Sequence, residues 1–202
     1  SVLGAAGPHG PELDDGDLRL GALVTLQAAA DSPIAHSATG GLLPAACLAQ
    51  QPSRMVRNLA TLGGESVFAA HDSEVAAALL ALNAVFVVDR AEGPLESPAL
   101  RFLRNPAEDV AEGLLTSLFI PGAPEGTALE RVAVLPSAPA LVAVVATVSF
   151  SGEQCGRARI ALTGLVGAPA RVPQAEARLE GSHAEHSDIE RAAEQVAVRA
   201  AF

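Results

Sequence analysis

The chain has no lysine, no tryptophan and no tyrosine, and only two cysteines and one methionine among 202 residues. Each scarcity excludes something. Without Trp or Tyr, and with aromatics at 3%, the stacking platforms used by single-stranded nucleic acid are missing, and thirteen Arg against twenty-three acids make no dense basic patch. Nucleic acid is therefore not an expected partner. Cys47 and Cys155 stand far apart without metal-type spacing, so neither a disulfide framework nor a structural zinc is signalled, and a reducing cytoplasm fits best. Residues 1–17 are rich in Gly, Pro and acid and carry no basic segment followed by an apolar one, so export is unsupported. The longest nearly apolar stretch, residues 138–150, is interrupted by Pro139, Thr147 and Ser149 and falls short of the roughly 20 residues a spanning helix needs. It is a buried-strand candidate, and no membrane span is expected. No nucleophile elbow, P-loop or H-E-x-x-H pattern occurs, so no catalytic residue and no metal site is assigned.

What the chain does have is apolar bulk. Half its residues are hydrophobic, mean hydropathy is +0.32, and a net charge of −10 favours solubility. Such a composition can offset the entropy of ordering, which disordered chains cannot do. The Gly- and Pro-rich opening reads as loop to Asp17, followed by a short strand over 18–23 and a helix over 26–30 capped by Thr25 and closed by Asp31, Ser32 and Pro33. A second helix is expected over 42–50 after the Gly40-Gly41 turn. A third runs from Ser73-Glu74 to about Asn83, before a strand over 84–88. Residues 89–105 turn charged and Pro-bearing, and an extended apolar run over 114–120 stops at Pro121-Gly122, where a domain boundary is placed. Beyond it, strands are expected over 128–134, 140–150 and 157–165, then helices over 173–179 and 188–199, the last with a Ser187/Glu190 capping box. The fold class is α+β: residues 1–120 with a mixed or antiparallel sheet and short helices, and residues 121–202 with a three-stranded antiparallel sheet packed on helices.

The most particular local feature is Arg57-Asn-Leu-Ala-Thr61-Leu62-Gly63-Gly64. A Thr-Leu-Gly-Gly turn presents backbone N–H groups without Cβ obstruction, a concave nest suited to phosphate oxygens, although an isolated Gly-Gly pair is more often a plain turn. Arg54 and Arg57 flank it as candidate phosphate partners or as ordinary surface ion pairs. The tract Ser182-His-Ala-Glu-His-Ser-Asp188 offers imidazoles and carboxylates together, but without a third committed ligand it reads as a solvated loop.

Taken in order, residues 18–26, Ser32-Pro33, residues 56–64 and residues 76–85 resemble the FAD-binding subunit of the molybdenum hydroxylases, the family of the carbon monoxide dehydrogenase medium subunit and the flavin domain of xanthine dehydrogenase. Residues 113–121 resemble its link between domains, and residues 157–165 with 169–171 its C-terminal flavoprotein domain. The resemblance implies an FAD cofactor whose pyrophosphate meets the Thr61-Leu62-Gly63-Gly64 turn through backbone amides and the Thr hydroxyl. It implies a division into residues 1–120, the second half of a xanthine dehydrogenase-type FAD-binding domain, and residues 121–202, a flavoprotein C-terminal-like domain. It further implies molybdopterin-binding and iron–sulfur partners that pass electrons through FAD to an acceptor such as NAD, a quinone or oxygen. Glu65 takes the place of the family's usual Asn, bringing a carboxylate that cannot donate a hydrogen bond unless protonated and would repel a phosphate. Glu74 stands where the family carries an acid. The family's N-terminal lobe, with its own Gly-rich loop, has no counterpart in the 202 residues, nor has its Arg-containing tail. A fragment, one piece of a split subunit and a shortened relative are all expected readings. A flavin-free scaffold that docks partner subunits is the alternative function.

Overall fold

The computed structural model describes residues 10–68, 70–135, 138–164 and 169–200. The opening loop expected from Leu3 lies outside these residues as far as position 9. From there the chain is more ordered than composition suggested. Strand β1 (Glu12–Asp14) pairs antiparallel with β2 (Asp17–Gly21) across an Asp15-Gly16 turn, both residues at positive φ (50° and 88°). Asp-Gly is the sequence signal of such a hairpin, and it was hidden in a stretch read as loop.

Short helices follow: α1 (Leu26–Asp31), α2 (Pro33–Ala38), α3 (Leu42–Gln50), α4 (Arg54–Arg57), α5 (Leu62–Phe68) and α6 (Glu74–Ala81). Thr25 Oγ1 accepts from the Ala28 amide at 3.1 Å, as its capping position requires. Ser32-Pro33 closes α1 and at once opens α2. Ser32 Oγ accepts from Ala35 N at 3.1 Å, and Pro33 occupies the first turn, where a missing N–H costs nothing. Strands β3 (Val85–Arg90) and β4 (Gly93–Pro98), helices α7 (Ala99–Phe102) and α8 (Pro106–Val110), and β5 (Gly113–Ile120) complete the first unit. Its sheet runs β1-β2-β5-β3-β4, all antiparallel. The charged segment after Asp89 is thus a strand and a helix. One buried carboxylate organises it: Asp109 accepts from Ser97 Oγ (2.5 Å) and Arg101 Nη2 (3.0 Å) through its side chain, and from Arg90 Nη2 (2.7 Å) through its carbonyl.

The second sheet, β6-β7-β8-β9, comprises β6 (Gly126–Val132), β7 (Val142–Ser151), β8 (Gln154–Thr163) and the two-residue β9 (Ala170–Arg171), again antiparallel. The three expected strands are present, and β9 is a short addition at the edge. Helices α9 (Pro173–Leu179) and α10 (His186–Ala200) pack behind it. Helix α10 begins at His186, so Ser187 lies inside it and is not the cap expected from the S-x-x-E spacing. Alternation along β8 explains how one sheet serves two cores: Ala161 points into the first, with Val145 of β7, while Ala158, Ile160 and Leu162 point into the second. Both faces are covered, which is why β7 reads as an almost continuous apolar run.

Helix α6 lies at the centre. All eight of its residues are buried, Ser73 Oγ caps it through Ala76 N (3.1 Å), and Thr147 Oγ1 of β7 donates to its Ala81 carbonyl at 2.9 Å. Its N-terminal end carries an acid and its C-terminal end faces arginines, the arrangement a helix dipole favours.

Candidate functional site

The Thr61-Leu62-Gly63-Gly64 segment is the start of a helix. Thr61 bridges Thr25 and α5 begins at Leu62, so the two glycines sit in its first turn. The amide of Leu62 donates to the Val24 carbonyl (2.9 Å), that of Gly63 to Ala22 O (2.9 Å), that of Gly64 to Thr61 Oγ1 (3.1 Å) and that of Glu65 to Thr61 O (2.9 Å). The open nest of N–H groups expected from the sequence is therefore closed by the chain itself. What the turn offers outward is the Thr61 hydroxyl hydrogen and bare backbone at Gly64.

The two glycines do different work. A Cβ on buried Gly63 would stand 2.8 Å from both the Ala22 carbonyl oxygen and the Ala22 Cβ, so this residue lets α5 lie against the end of β2. On exposed Gly64 the same atom would meet only Thr61 Oγ1, at 3.1 Å, leaving the rest of its surroundings open. Beyond it lies an open groove of about 410 Å³ walled by Ala22, Leu23, Gly113, Leu114 and Val67, with Thr61, Gly63 and Gly64 along one side. That size is within the range of ligand clefts, its walls are apolar, and no carboxylate lines it.

Glu65 and Glu74 lie elsewhere. They line a second pocket, of about 200 Å³, together with Asp72, Gln50 and Gln51, and that pocket shares no residue with the groove. Burial, then the charges of Asp72 and Glu74, raises the carboxyl pKa of Glu65 above its ordinary value. Glu74 is also raised, chiefly by burial, with its own backbone hydrogen bond and Arg131 opposing. Arg131 Nε stands 3.3 Å from Glu74 Oε1, an ion pair whose angle falls short of a hydrogen bond. Nearby Cys47 is pushed up to about 12, mostly by burial, with Glu65 adding to the rise and Arg57 opposing it.

Arg57 is not at a ligand surface. It is 8% exposed, donates through Nε to Gln27 Oε1 at 2.8 Å, and through Nη1 to the Gln51 and Pro52 carbonyls. It clamps α1 to the segment before α4 and lines neither pocket. Arg54 is the exposed member of the pair and lies 3.4 Å from Asp31. In the Ser182–Asp188 tract both histidines are exposed, with Ser182, Ala184 and Asp188 half-buried, and among the described residues no cluster of three His, Cys, Asp or Glu has metal-binding geometry.

The family described as the FAD binding domain in molybdopterin dehydrogenase matches residues 9–123. The chain belongs to that family. FAD is the family's cofactor, and the bare backbone of Gly64, the Thr61 hydroxyl and the apolar groove beside them fit such a group, whereas the carboxylate pocket does not fit its phosphates. In fold, this FAD-domain chain is similar to carbon monoxide dehydrogenase from Hydrogenophaga pseudoflava, lacking the Mo-pyranopterin moiety of the molybdenum cofactor, with a TM-score of 0.83 and 24% identity over 92% of this chain and 66% of that one. Quinoline 2-oxidoreductase from Pseudomonas putida 86 matches with a TM-score of 0.79 and 26% identity, over 92% and 65%. Reconstituted CO dehydrogenase from Oligotropha carboxidovorans matches with 0.82 and 22%, over 92% and 66%. The chain thus spans just under two thirds of the length of these solved chains. No curated protein matches it by sequence.

Proposed function

We propose that the chain is the FAD-binding electron-transfer subunit of a molybdopterin-dependent oxidoreductase, receiving electrons from the iron–sulfur clusters of partner subunits and passing them to an acceptor. The observation that carries this reading is the groove at Gly64, where a ligand would meet bare backbone and the Thr61 hydroxyl hydrogen beside apolar walls. In it, Thr61 donates a hydrogen bond, Gly64 permits close approach, and Leu62 and Gly63 hold the helix in place through their amides to Val24 and Ala22. When bound, FAD supplies the one- and two-electron chemistry, and the protein's part is to hold and tune it. Glu65 and Glu74 line a pocket that shares no residue with the groove, and their carboxylates would repel phosphates brought close to them. Residues 1–120 form the cofactor unit and residues 121–202 the flavoprotein C-terminal-like unit. A cytoplasmic setting is supported by two buried free cysteines. No helix among the described residues is long and apolar enough to cross a membrane.

One observation favours a second reading, a flavin-free scaffold or half-site that docks partner subunits: three carboxyl groups, Glu65, Asp72 and Glu74, converge on one small pocket beside the site. Titration of the purified chain with FAD, followed by flavin absorbance and fluorescence, separates the readings. Saturable binding with a spectral change is expected for the flavoprotein. Binding only in the presence of partner polypeptides marks the half-site, and no flavin under either condition marks the scaffold.

A further inference from the structure

At the opposite end of α6 from the acidic pocket, two arginines share one face of β8. Arg157 and Arg159 are two residues apart, so their side chains lie on the same side of the sheet, opposite Ser149 and Thr147 of β7 in the antiparallel register. They line a polar cavity of about 110 Å³, closed by the C-terminal residues Ala81 and Leu82 of α6 and by the connector Pro121–Pro124 between the two sheets. No carboxylate lines it. Arg157 is exposed and Arg159 half-buried, and among the described residues the Arg159 side chain has neither a salt-bridge nor a hydrogen-bond partner. The acids that act on it from a distance are already engaged: Glu176 takes both Arg171 (2.7 and 2.8 Å) and the Ile160 amide (2.9 Å), and Glu180 takes the Ala158 amide (3.1 Å). Burial and the neighbouring charges of Arg157 and Arg171 together disfavour the Arg159 cation. A chain of net charge −10 has acids to spare for such a group, yet places none at this cavity. A half-buried guanidinium in that state is incomplete until an anion or water meets it.

We propose that this cavity is an oxyanion site, in which a phosphate group is held between the guanidiniums of Arg157 and Arg159. Planar guanidinium forks match phosphate oxygens in geometry and charge, and the cavity has room for one tetrahedral group. The Ser149 side chain lies on the same wall as a further donor. The site is separate from the flavin groove, with which it shares no residue, so it is tested independently of that reading.

The test is isothermal titration of the full chain with inorganic phosphate at constant ionic strength, with chloride as the control. Saturable heat is expected for the wild-type chain, weakened about tenfold or more in Arg159→Gln and in Arg157→Gln, as follows from losing a charge-assisted pair. Arg19→Gln, which removes an exposed arginine beside Asp14, should leave it unchanged. Titration with AMP identifies the source: affinity equal to phosphate means the free ion is ligand enough, and affinity about tenfold tighter means a phosphate ester is. Either result upholds the site. The bland role for these arginines is to offset the carbonyl end of α6, in which case both variants lower the melting temperature and phosphate gives no saturable heat in any of them. That result, or equal phosphate binding by wild type and Arg157→Gln, overturns the proposal. So does loss of phosphate binding in Gly64→Val, because it moves the ion to the groove. Arg157 is exposed, so its variant carries the test if Arg159→Gln fails to fold.

Discussion

At the residue scale, neighbouring side chains have opposite duties. Gly63→Ala should destabilise the chain by about 1–3 kcal/mol, because its Cβ would press on the Ala22 backbone, and a denaturant midpoint reads this directly. Gly64→Val should fold with a melting temperature near wild type and lose FAD affinity. Glu65 supplies the pH dependence. Its folded pKa is raised, so the protonated form is the one the fold favours. The stabilisation this brings is full below the unfolded pKa and is lost as pH rises through the raised folded value. Glu74 contributes with the same sign. Melting temperature should therefore rise through these groups as pH falls from neutrality toward the ordinary glutamate range, and Glu65→Gln should flatten that rise and lift stability at neutral pH. A steeper pH dependence in the variant would contradict the assigned cause.

At the scale of elements, the structure explains which parts were legible in sequence. Caps were legible: Thr25 and Ser73 both accept the amide three residues on, as their positions before apolar runs required. Apolar runs were legible too, because β5 and β7 to β8 owe their identity to burial that one-dimensional hydrophobicity records. Elements stabilised by tertiary polar contacts were not. Strand β4 and helix α7 carry charge and proline, and they are held by Asp109, which lies beyond both in sequence and reaches Ser97 and Arg101. Asp109→Ala should cost about 2 kcal/mol or more, since it leaves buried Ser97 without its charged acceptor, and the loss should appear in chemical denaturation. The site was half legible. The Gly-Gly pair marked the right place, but the amides of Leu62 and Gly63 are bonded to Val24 and Ala22, some forty residues upstream, a pairing no local pattern announces. Arg57 was legible as a cation near the turn and not as an inward clamp, because its partner Gln27 is thirty positions away.

At the scale of the whole molecule, α6 is the axis on which the two sheets and both ends of the chemistry are arranged. The sheets share a core through Val145 and Ala161, so the face of the second sheet closes the first unit. The carboxylate pocket gathers at the helix N-terminus and the arginine cavity at its C-terminus, so the two ends of one buried helix face side chains of opposite charge. Phe86 stacked on Phe102 at 4.2 Å fixes the other side of the first core. Phe86→Ala should cost about 3–5 kcal/mol and disorder the groove wall through β3 and β5, seen as a lower melting temperature. Membership of the FAD-domain family adds the cofactor to this frame.

The central claim is that flavin meets the chain at the bare Gly64 backbone, with the Glu65 carboxylate as a nearby repulsive charge. The most direct measurement is a fluorescence titration with FAD of three proteins at neutral pH: wild type, Gly64→Val and Glu65→Asn. The dissociation constant is expected to shift in opposite directions, weaker binding in Gly64→Val and tighter binding in Glu65→Asn. An unchanged constant in both variants would contradict the claim.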